Sequence, residues 1–306
     1  MKPDKRKIVL AGGSGFLGRE LAEVLEERGD EAVVLTRNPD LYKGPGRAVE
    51  WNGKTLDEAW VEELNGADAI VNLAGKNVNC RQTESNRAEV LNSRVDSVAI
   101  IGEAIRQISK PPPIWIQTSS LAIYGDAGDR VCDESAHVAS GYPANVCVDW
   151  ESELGRAIIP GNRWAVLRIS FVLGKEDGAL PVLARLVKFG LGGSIGNGKQ
   201  WISWIHLDDM MAVFLDALDN PEFEGIYNVT APNPVTNSDF MKTLRKVLGR
   251  PWSPPAPSFA VRLGAPVLGS DPEIALTGRR CIPARLESAG FNFQHPELKP
   301  ALQTIY

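Results

Sequence analysis

Three glycines near the N-terminus carry the clearest chemistry in the chain. AGGSGFLG (11–18) spaces Gly12, Gly15 and Gly18 as GxxGxxG. The spacing alone is weak evidence, because glycine makes up about 7% of ordinary chains. Its setting is the stronger signal: the short apolar run KIVLA (7–11) leads into it, and a helical pattern that begins around Phe16 and Leu17 leads out. In that setting Gly12 permits a tight turn and Gly15 lets the backbone approach a pyrophosphate at the helix N-terminus. Gly18 lets the helix pack on the strand. The alternative, a glycine-rich turn without a ligand, does not explain why a strand and a helix abut it directly. No Gly-Lys-Ser/Thr follows, so the turn is not a P-loop.

The end of the second apolar run, EAVVLT (31–36), is where dinucleotide sites choose between cofactors. An acidic residue there holds a ribose 2′-hydroxyl, and an arginine suits a 2′-phosphate. The chain reads Thr36-Arg37-Asn38. A guanidinium pairs bidentately with phosphate and stacks on adenine. The reading is therefore NADP(H) in preference to NAD(H). The competing reading makes Arg37 a solvated surface charge and Asp40 the ribose partner.

The elements that must position these residues alternate. Apolar strand-like runs occur at 7–11, 31–36, 48–51, 69–74, 114–120 and 164–169. Helical patterns occupy 15–29, about 84–108 and about 143–159, with Pro143 suited to a first helical turn. This alternation predicts an α/β fold with a Rossmann-type, doubly wound parallel sheet and a smaller C-terminal lobe on the substrate side. After Gly174 the pattern loosens, and GLGGSIGNGK (190–199) reads as a loop. WISWIHLDDMMAVFLDAL (201–218) reads as a short strand running into a helix capped by Asp208, and GIYNV (225–229) as a strand. NSDFMKTLRKVLG (237–249) reads as a helix capped by Asn237 or Ser238, and RPWSPPAPS (250–258) as a proline-rich joint. The expected division is a nucleotide-binding domain over 1–174, with sheet contributions from about 201–230. A substrate-side segment over 175–249 and a small domain over 250–306 packed on it complete the chain.

Bulk composition narrows the function classes. The chain has 306 residues, 43% of them hydrophobic and 23% charged, with a net charge of −5. That is a globular composition, and without a basic block no nucleic-acid partner is expected. MKPDKRKIVLAGG has too short an apolar stretch for a signal peptide, and no run approaches a membrane span, so a cytoplasmic protein is expected. Cys80, Cys132, Cys147 and Cys281 form no CxxC pair and read as reduced, mostly buried thiols. His137, His206 and His295 are scattered, so no metal-ligand spacing is present and no metal is expected.

NLAG (72–75), TSSLAIYG (118–125) and WIHLDD (204–209), taken with the glycine turn, resemble the extended short-chain dehydrogenase/reductases, which include sugar-nucleotide epimerases and dehydratases. More narrowly, the chain resembles the epimerase family proteins that end in a small domain of unknown function. That resemblance covers essentially the whole chain. It rests on LNSRV (91–95), VCVDWE (146–151), VLRISFVLG (166–174), YNVTAPNPVTNSDF (227–240), RPWSPPAPSFAVRLG (250–264) and IPARLESAGFNF (282–293). The resemblance implies an NADP-type cofactor on the N-terminal fold and a substrate cleft closed by the C-terminal part. By position it places Asn72, Leu73, Ala74 and Gly75 along the cofactor, Arg94 near it on the long helix, and Thr118 and Ser119 beside the crevice. Ser120 falls where relatives hold a reacting hydroxyl. Tyr124 either meets substrate or fixes a loop over the cleft. Gln200, Trp201 and His206 are further substrate candidates, and His206 equally suits a buried hydrogen-bonding role at a strand–helix junction.

One part of the family pattern is missing. Redox-active relatives carry Tyr-x-x-x-Lys, whose lysine lowers the tyrosine pKa so that it can act as acid or base. Four residues after Tyr42, Tyr124, Tyr142 and Tyr227 stand Gly46, Gly128, Val146 and Ala231, and no lysine lies between Lys110 and Lys175. Aligning Glu151 with the acidic residue of the family helix puts Pro143 at the tyrosine position and Cys147 at the lysine position, with Tyr142 one residue early. Ser120 and Tyr142 remain the catalytic candidates. Two functions fit. One is an NADP-dependent oxidoreductase or epimerase acting on an unknown small hydroxylated or carbonyl substrate. The other is a non-catalytic dinucleotide-binding protein that reports cofactor state to a protein partner.

Overall fold

The computed structural model describes residues 5–250, 252–267 and 271–306; the first four residues of the basic N-terminal segment and Pro251 of the proline-rich joint lie outside the described residues. β1 (Lys7–Ala11), β2 (Glu31–Thr36), β3 (Arg47–Glu50), β4 (Ala69–Asn72) and β5 (Ile114–Ser120) all belong to one parallel sheet. Strands covered on both faces need apolar residues at every position rather than at alternate ones. The burial of β1, β2, β4 and β5 follows that rule, whereas β3, at the edge, is only part-buried.

The chain continues through β6 (Val131–Cys132), β7 (Arg163–Ile169), β8 (Phe171–Leu173), β9 (Trp201–Ile202), β10 (Trp204–His206) and β11 (Gly225–Val229). The main sheet has seven strands in the order β11-β7-β5-β4-β1-β2-β3. Strand order reverses between β1 and β4, and ligands in open α/β sheets bind outside the strand ends at such a switch point. Residues 201–206, expected to join this sheet, do not. β10 pairs instead with β8 in a separate ladder, and β9 pairs antiparallel with β12 (Val235–Thr236). β4 also ends earlier than the apolar run does, because the chain turns at Asn72, whose Oδ1 accepts the Ala74 N–H at 3.1 Å.

Helices cover both faces. α1 (Phe16–Glu27) runs to Gly29, which has φ 88° just beyond its end. α2 (Glu58–Leu64), capped by Asp57, was not apparent in the sequence pattern. α3 (Glu84–Gln107) packs against α4 (Tyr142–Ala157). Ile8 and Leu10 of β1 enter the core on one face, and Val9 and Ala11 enter the core on the other. Of the later elements, α5 (Leu180–Lys188) is followed by α6 (Leu207–Asp219), which packs Met210, Val213, Phe214 and Ala217 into the same core as α1 and β1; then come α7 (Asn237–Val247), α8 (Ser258–Val267), α9 (Glu273–Leu276), β13 (Arg280–Cys281), α10 (Ala284–Ser288) and α11 (Leu298–Ile305). α11 buries Leu298, Ala301, Leu302 and Ile305 against Phe240, Met241 and Leu244 of α7. The C-terminal segment also reaches the first half of the chain. β13 pairs with β6, and Leu286 of α10 enters the core beside Tyr227 and Val229.

Two helix caps differ from the sequence expectation. His206 Nδ1, rather than Asp208, accepts the N–H of Asp208 at 3.1 Å and caps α6. Thr236, one residue before Asn237, accepts the Asp239 N–H and caps α7. In both cases the cap is the last residue of the preceding strand, β10 or β12, so the helix starts directly from the strand end. Among the described residues no helix is long and apolar enough to cross a membrane.

Candidate functional site

The glycine turn forms at the switch point. Gly12 has φ 72°, and a Cβ on it would lie 2.8 Å from the Cα of Ala74. Gly18 lies so close to Gly13 that a Cβ would come within 2.3 Å of its carbonyl oxygen. Gly15 is different: a Cβ there would meet nothing nearer than 3.8 Å, so space is open above it. α1 begins at that point without a side-chain cap, which leaves its first N–H groups directed at that space. Phe16 packs against Gly174, and Leu17 packs at the margin of the core. Thr36 Oγ1 donates to Ser14 Oγ at 3.0 Å and ties the end of β2 to the turn. Arg37 is exposed next to it and has no hydrogen-bond or ion-pair partner among the described residues. Asp40 lies beyond it in the short 3₁₀ turn Pro39–Leu41.

Several residues expected to touch a ligand support the crevice from beneath instead. Asn72 is fully buried, and its Nδ2 donates to Ser97 Oγ at 3.2 Å and to Gln117 Oε1 at 3.0 Å. Thr118 Oγ1 donates to the Asn72 carbonyl at 2.9 Å. Ser119 Oγ donates to Glu151 Oε1 at 2.6 Å. Leu73 and Ala74 pack on the core, and Gly75 is exposed at the rim beside the Arg94 guanidinium.

Glu151 anchors a buried polar network that sequence spacing did not reveal. Arg168 on β7 reaches it with two donors, Nε to Oε1 at 2.9 Å and Nη2 to Oε2 at 2.7 Å. Arg168 Nη1 also donates to the Tyr124 hydroxyl at 2.8 Å, and that hydroxyl donates to Asn228 Oδ1 at 2.8 Å. Tyr124 therefore does not line the cleft: it is 0% exposed, its hydroxyl is committed, and burial pushes its pKa up to about 12. The family motifs TSSLAIYG, VCVDWE, VLRIS and YNV each contribute one or more members of this network. Arginine inside the otherwise apolar run WAVLRI was the available signal, because a charge in a doubly covered strand must be paired.

α4 carries the stretch in which the lysine is absent. Tyr142 opens the helix, and its hydroxyl donates to the Arg87 carbonyl at 2.9 Å. Burial raises its pKa, while Arg94 and Arg87 pull it down. Ser120, at the end of β5, accepts the Ala122 N–H at 3.1 Å. Cys147 is buried, and burial together with the charge of Glu151 holds its thiol at about 11, so it is neither nucleophile nor base. Beside these groups lies Arg94 of α3. Its Nη1 donates to the carbonyls of Lys76 at 3.1 Å and Val90 at 2.8 Å, and its guanidinium sits 5.0 Å from the ring centroid of Trp150. It has no carboxylate partner among the described residues, and burial lowers its pKa. Its charge acts on both Tyr142 and Cys147.

The remaining candidates point away from this centre. Gln200 Nε2 donates to the carbonyls of Ile195 and Ala275, at 3.1 and 2.9 Å. Trp201 donates to Asp129 at 2.8 Å and carries Arg280 over its ring at 4.4 Å. His206 stacks on His295 with ring centroids 3.9 Å apart, and its Nε2 meets Thr304 Oγ1 at 3.1 Å. The histidines, scattered in sequence, are thus partly gathered by the fold: ligand atoms of His206, Asp208 and His295 lie within 4.8 Å of one another. Three of the four ring nitrogens in this group have partners. His206 Nδ1 caps α6 and His295 Nε2 bonds Asp208 at 3.1 Å, while Asp209 accepts the N–H groups of Gln294 and His295. The cluster clasps the C-terminal tail to α6.

Comparison with known proteins agrees with this architecture. Residues 8–230 match the NAD dependent epimerase/dehydratase family, and residues 256–305 match a domain of unknown function, DUF1731. The chain is 33% identical to the Homo sapiens epimerase family protein SDR39U1, over 98% of this chain and 99% of the relative. It is also 33% identical to the Bacillus subtilis epimerase family protein YfhF, over 97% of each. A crystal structure of the human SDR39U1 (isoform 2) with NADPH superimposes with a TM-score of 0.85 at 31% identity, covering 97% of this chain and 98% of that one. MoeE5 in complex with UDP-glucose and NAD, at 20% identity and a TM-score of 0.75, shares the fold. The chain belongs to the NAD dependent epimerase/dehydratase family, in the group of epimerase family proteins that end in the DUF1731 domain.

Proposed function

We propose that the protein binds NADP(H) at the β1–β4 switch point and is an oxidoreductase or epimerase-like enzyme for a small hydroxylated or carbonyl substrate. The observation that carries this reading is the pairing of an uncapped α1 N-terminus, open above Gly15, with an unpartnered Arg37 at the end of β2. The first suits a pyrophosphate and the second a 2′-phosphate. The NADPH in the human relative's structure supports the same assignment. The bound cofactor would supply or accept a hydride. On this reading Ala74 and Gly75 offer backbone to the ribose side, and Arg94 provides fixed positive charge beside the first turns of α4. Ser120 orients a substrate hydroxyl. Tyr142, held protonated, donates a proton once its hydroxyl leaves the Arg87 carbonyl. The four free thiols support a reducing compartment such as the cytoplasm.

The test is calorimetric titration with NADPH and NADH, repeated on Arg37→Ala. A charge-assisted phosphate pair is worth on the order of 1.5–3 kcal/mol, so NADPH should bind about ten- to a hundredfold more tightly and lose that margin in the variant. Equal affinities in the unaltered protein would refute the preference. One observation favours the second reading, a cofactor-reporting protein that acts through a partner. The protic groups around α4 have raised pKa values, Cys147 at about 11 and Tyr142 above its usual 10.0. NADPH binding without turnover of any carbonyl compound in a broad panel would support that second reading.

A further inference from the structure

Arg279 is a preorganised cation that the fold holds but does not pair. Its backbone is fixed on two sides. Arg279 N–H donates to the Trp201 carbonyl at 3.2 Å, and its own carbonyl accepts from Ser203 Oγ at 2.9 Å. On the other side the Gly278 carbonyl accepts from Ala127 N–H at 3.0 Å, and Gly278 N–H donates to Asp126 Oδ1 at 3.2 Å. A Cβ on Gly278 would fall 2.5 Å from the backbone of Trp201, so only glycine lets the chain lie this close. Two residues on, Cys281 pairs with Cys132 across β13 and β6 and packs in one cluster with Cys147 of α4.

The side chain contrasts with this well-bonded backbone. Among the described residues its guanidinium has no hydrogen-bond or ion-pair partner. Arg279 is half-buried, and burial lowers its pKa while solvent still reaches it. The groups around it offer little negative charge. Cys132, Cys147 and Cys281 are all held protonated by burial, Cys281 up to about 12, and Asp126, the nearby carboxylate, forms no ion pair with it. Arg94 faces Cys147 from the α3 side and also lacks a carboxylate. A half-buried guanidinium stays charged, and without a counter-ion it keeps its fork free for a ligand. By contrast, the buried Arg168 is paired with Glu151.

The geometry points to Arg279 as the receptor for an oxyanion on the substrate, a carboxylate or a phosphoryl group. The substrate is then a small anionic carbonyl or hydroxy compound, held from the C-terminal segment while the crevice holds the nucleotide. This deepens the NADP(H) reading and rests on it.

The experiment is calorimetry on the full chain, alone and saturated with NADP⁺, using oxamate and inorganic phosphate as anionic probes and oxamide as the neutral counterpart of oxamate. Expected are one anion site per chain, a tenfold to hundredfold weaker Kd in Arg279→Met, and partial recovery in Arg279→Lys. NADPH affinity should stay within about twofold, and the melting temperature of Arg279→Met should match or exceed that of the unaltered chain, since a half-buried charge without a counter-ion is removed. Tighter oxamate binding assigns a carboxylate and tighter phosphate binding a phosphoryl group. The inference is overturned by no anion binding, by equal binding in Arg279→Met, by oxamide binding as tightly as oxamate, or by a melting temperature several degrees lower. Failure of the cofactor reading would appear separately, as absent NADP⁺ binding, while the anion titrations on the chain alone still report on Arg279.

Discussion

Glu151→Ala should destabilise the protein more than removal of any exposed ion pair. Glu151 and Arg168 meet through two contacts of 2.9 and 2.7 Å, with side chains 12% and 6% exposed. Removing the carboxylate leaves the guanidinium buried with only the Tyr124 hydroxyl to receive it, and leaves Ser119 without its acceptor. Breaking a buried pair from one side costs about 3–5 kcal/mol. With an unfolding entropy of about 2.1 cal/mol/K per residue, a chain of 306 residues changes stability by roughly 0.6 kcal/mol per degree near Tm. The expected drop in Tm is therefore about 5–8 °C. The double variant Glu151→Leu with Arg168→Met removes both charges and should recover most of that loss, because paired removal is often close to neutral. Urea unfolding midpoints and thermal melts measure both. A loss below about 1 kcal/mol for Glu151→Ala, or a double variant no better than the single one, would refute the view that this network is a closed electrostatic unit.

Burial holds His206 below its ordinary 6.5, with Asp208 opposing and His295 adding to the shift. The unfolded chain then takes up a proton first, so stability is fully present above about pH 6.5 and is lost as pH falls below it; His206→Gln should flatten the fall in Tm between about pH 7 and about pH 5, and an unchanged slope would count against the assignment. A chain ending at Gly249 loses the Leu298–Ile305 face that covers Phe240 and Leu244, so it should aggregate or melt without cooperativity, and a soluble cooperative truncation would show that the C-terminal segment is dispensable. If Tyr142 is the proton donor, NADPH-dependent carbonyl reduction should stay level from about pH 6 to about pH 8, while the reverse oxidation rises with pH throughout; an oxidation rate that levels off near pH 7 would identify a different base.

The parallel sheet was legible because strands covered on both faces are apolar in continuous runs, as IVLA (8–11) and AVVL (32–35) are. The glycine turn was legible because each glycine has a separate steric reason, and Gly15 alone opens onto free space. The elements that were missed depend on partners distant in sequence. α2 is a short helix between loops with little amphipathic length. β9 and β10 look like ordinary apolar strands, and only the positions of β8 and β12 determine that they pair outside the main sheet. Tyr124 could be read as a cleft residue because spacing gives no indication that Arg168, 44 positions later, lies against its hydroxyl. The clasp of His206, Asp208 and His295 joins residues nearly 90 positions apart, and no ligand spacing could announce it.

The missing lysine shows how a spacing test can miss a charge. Tyr-x-x-x-Lys describes one turn of one helix, so it looks for the cation only on α4. The cation that acts on Tyr142 and Cys147 comes from α3. An arginine there is not a lysine equivalent. Its charge is permanent, so it cannot pass a proton along, and its fork is fixed by the Lys76 and Val90 carbonyls and by Trp150. It can stabilise a phenolate only by Coulomb attraction, and around Tyr142 burial opposes that attraction and is the larger effect. On the proposed reading the resting phenol serves as a proton donor rather than a base. A carbonyl that becomes an alcohol needs a proton, and an alcohol that becomes a carbonyl must lose one. On the proposed reading, then, the groups around α4 suit the proton donation that a reduction needs, and Arg279, without a hydrogen-bond or ion-pair partner among the described residues, suits a substrate that brings its own negative charge.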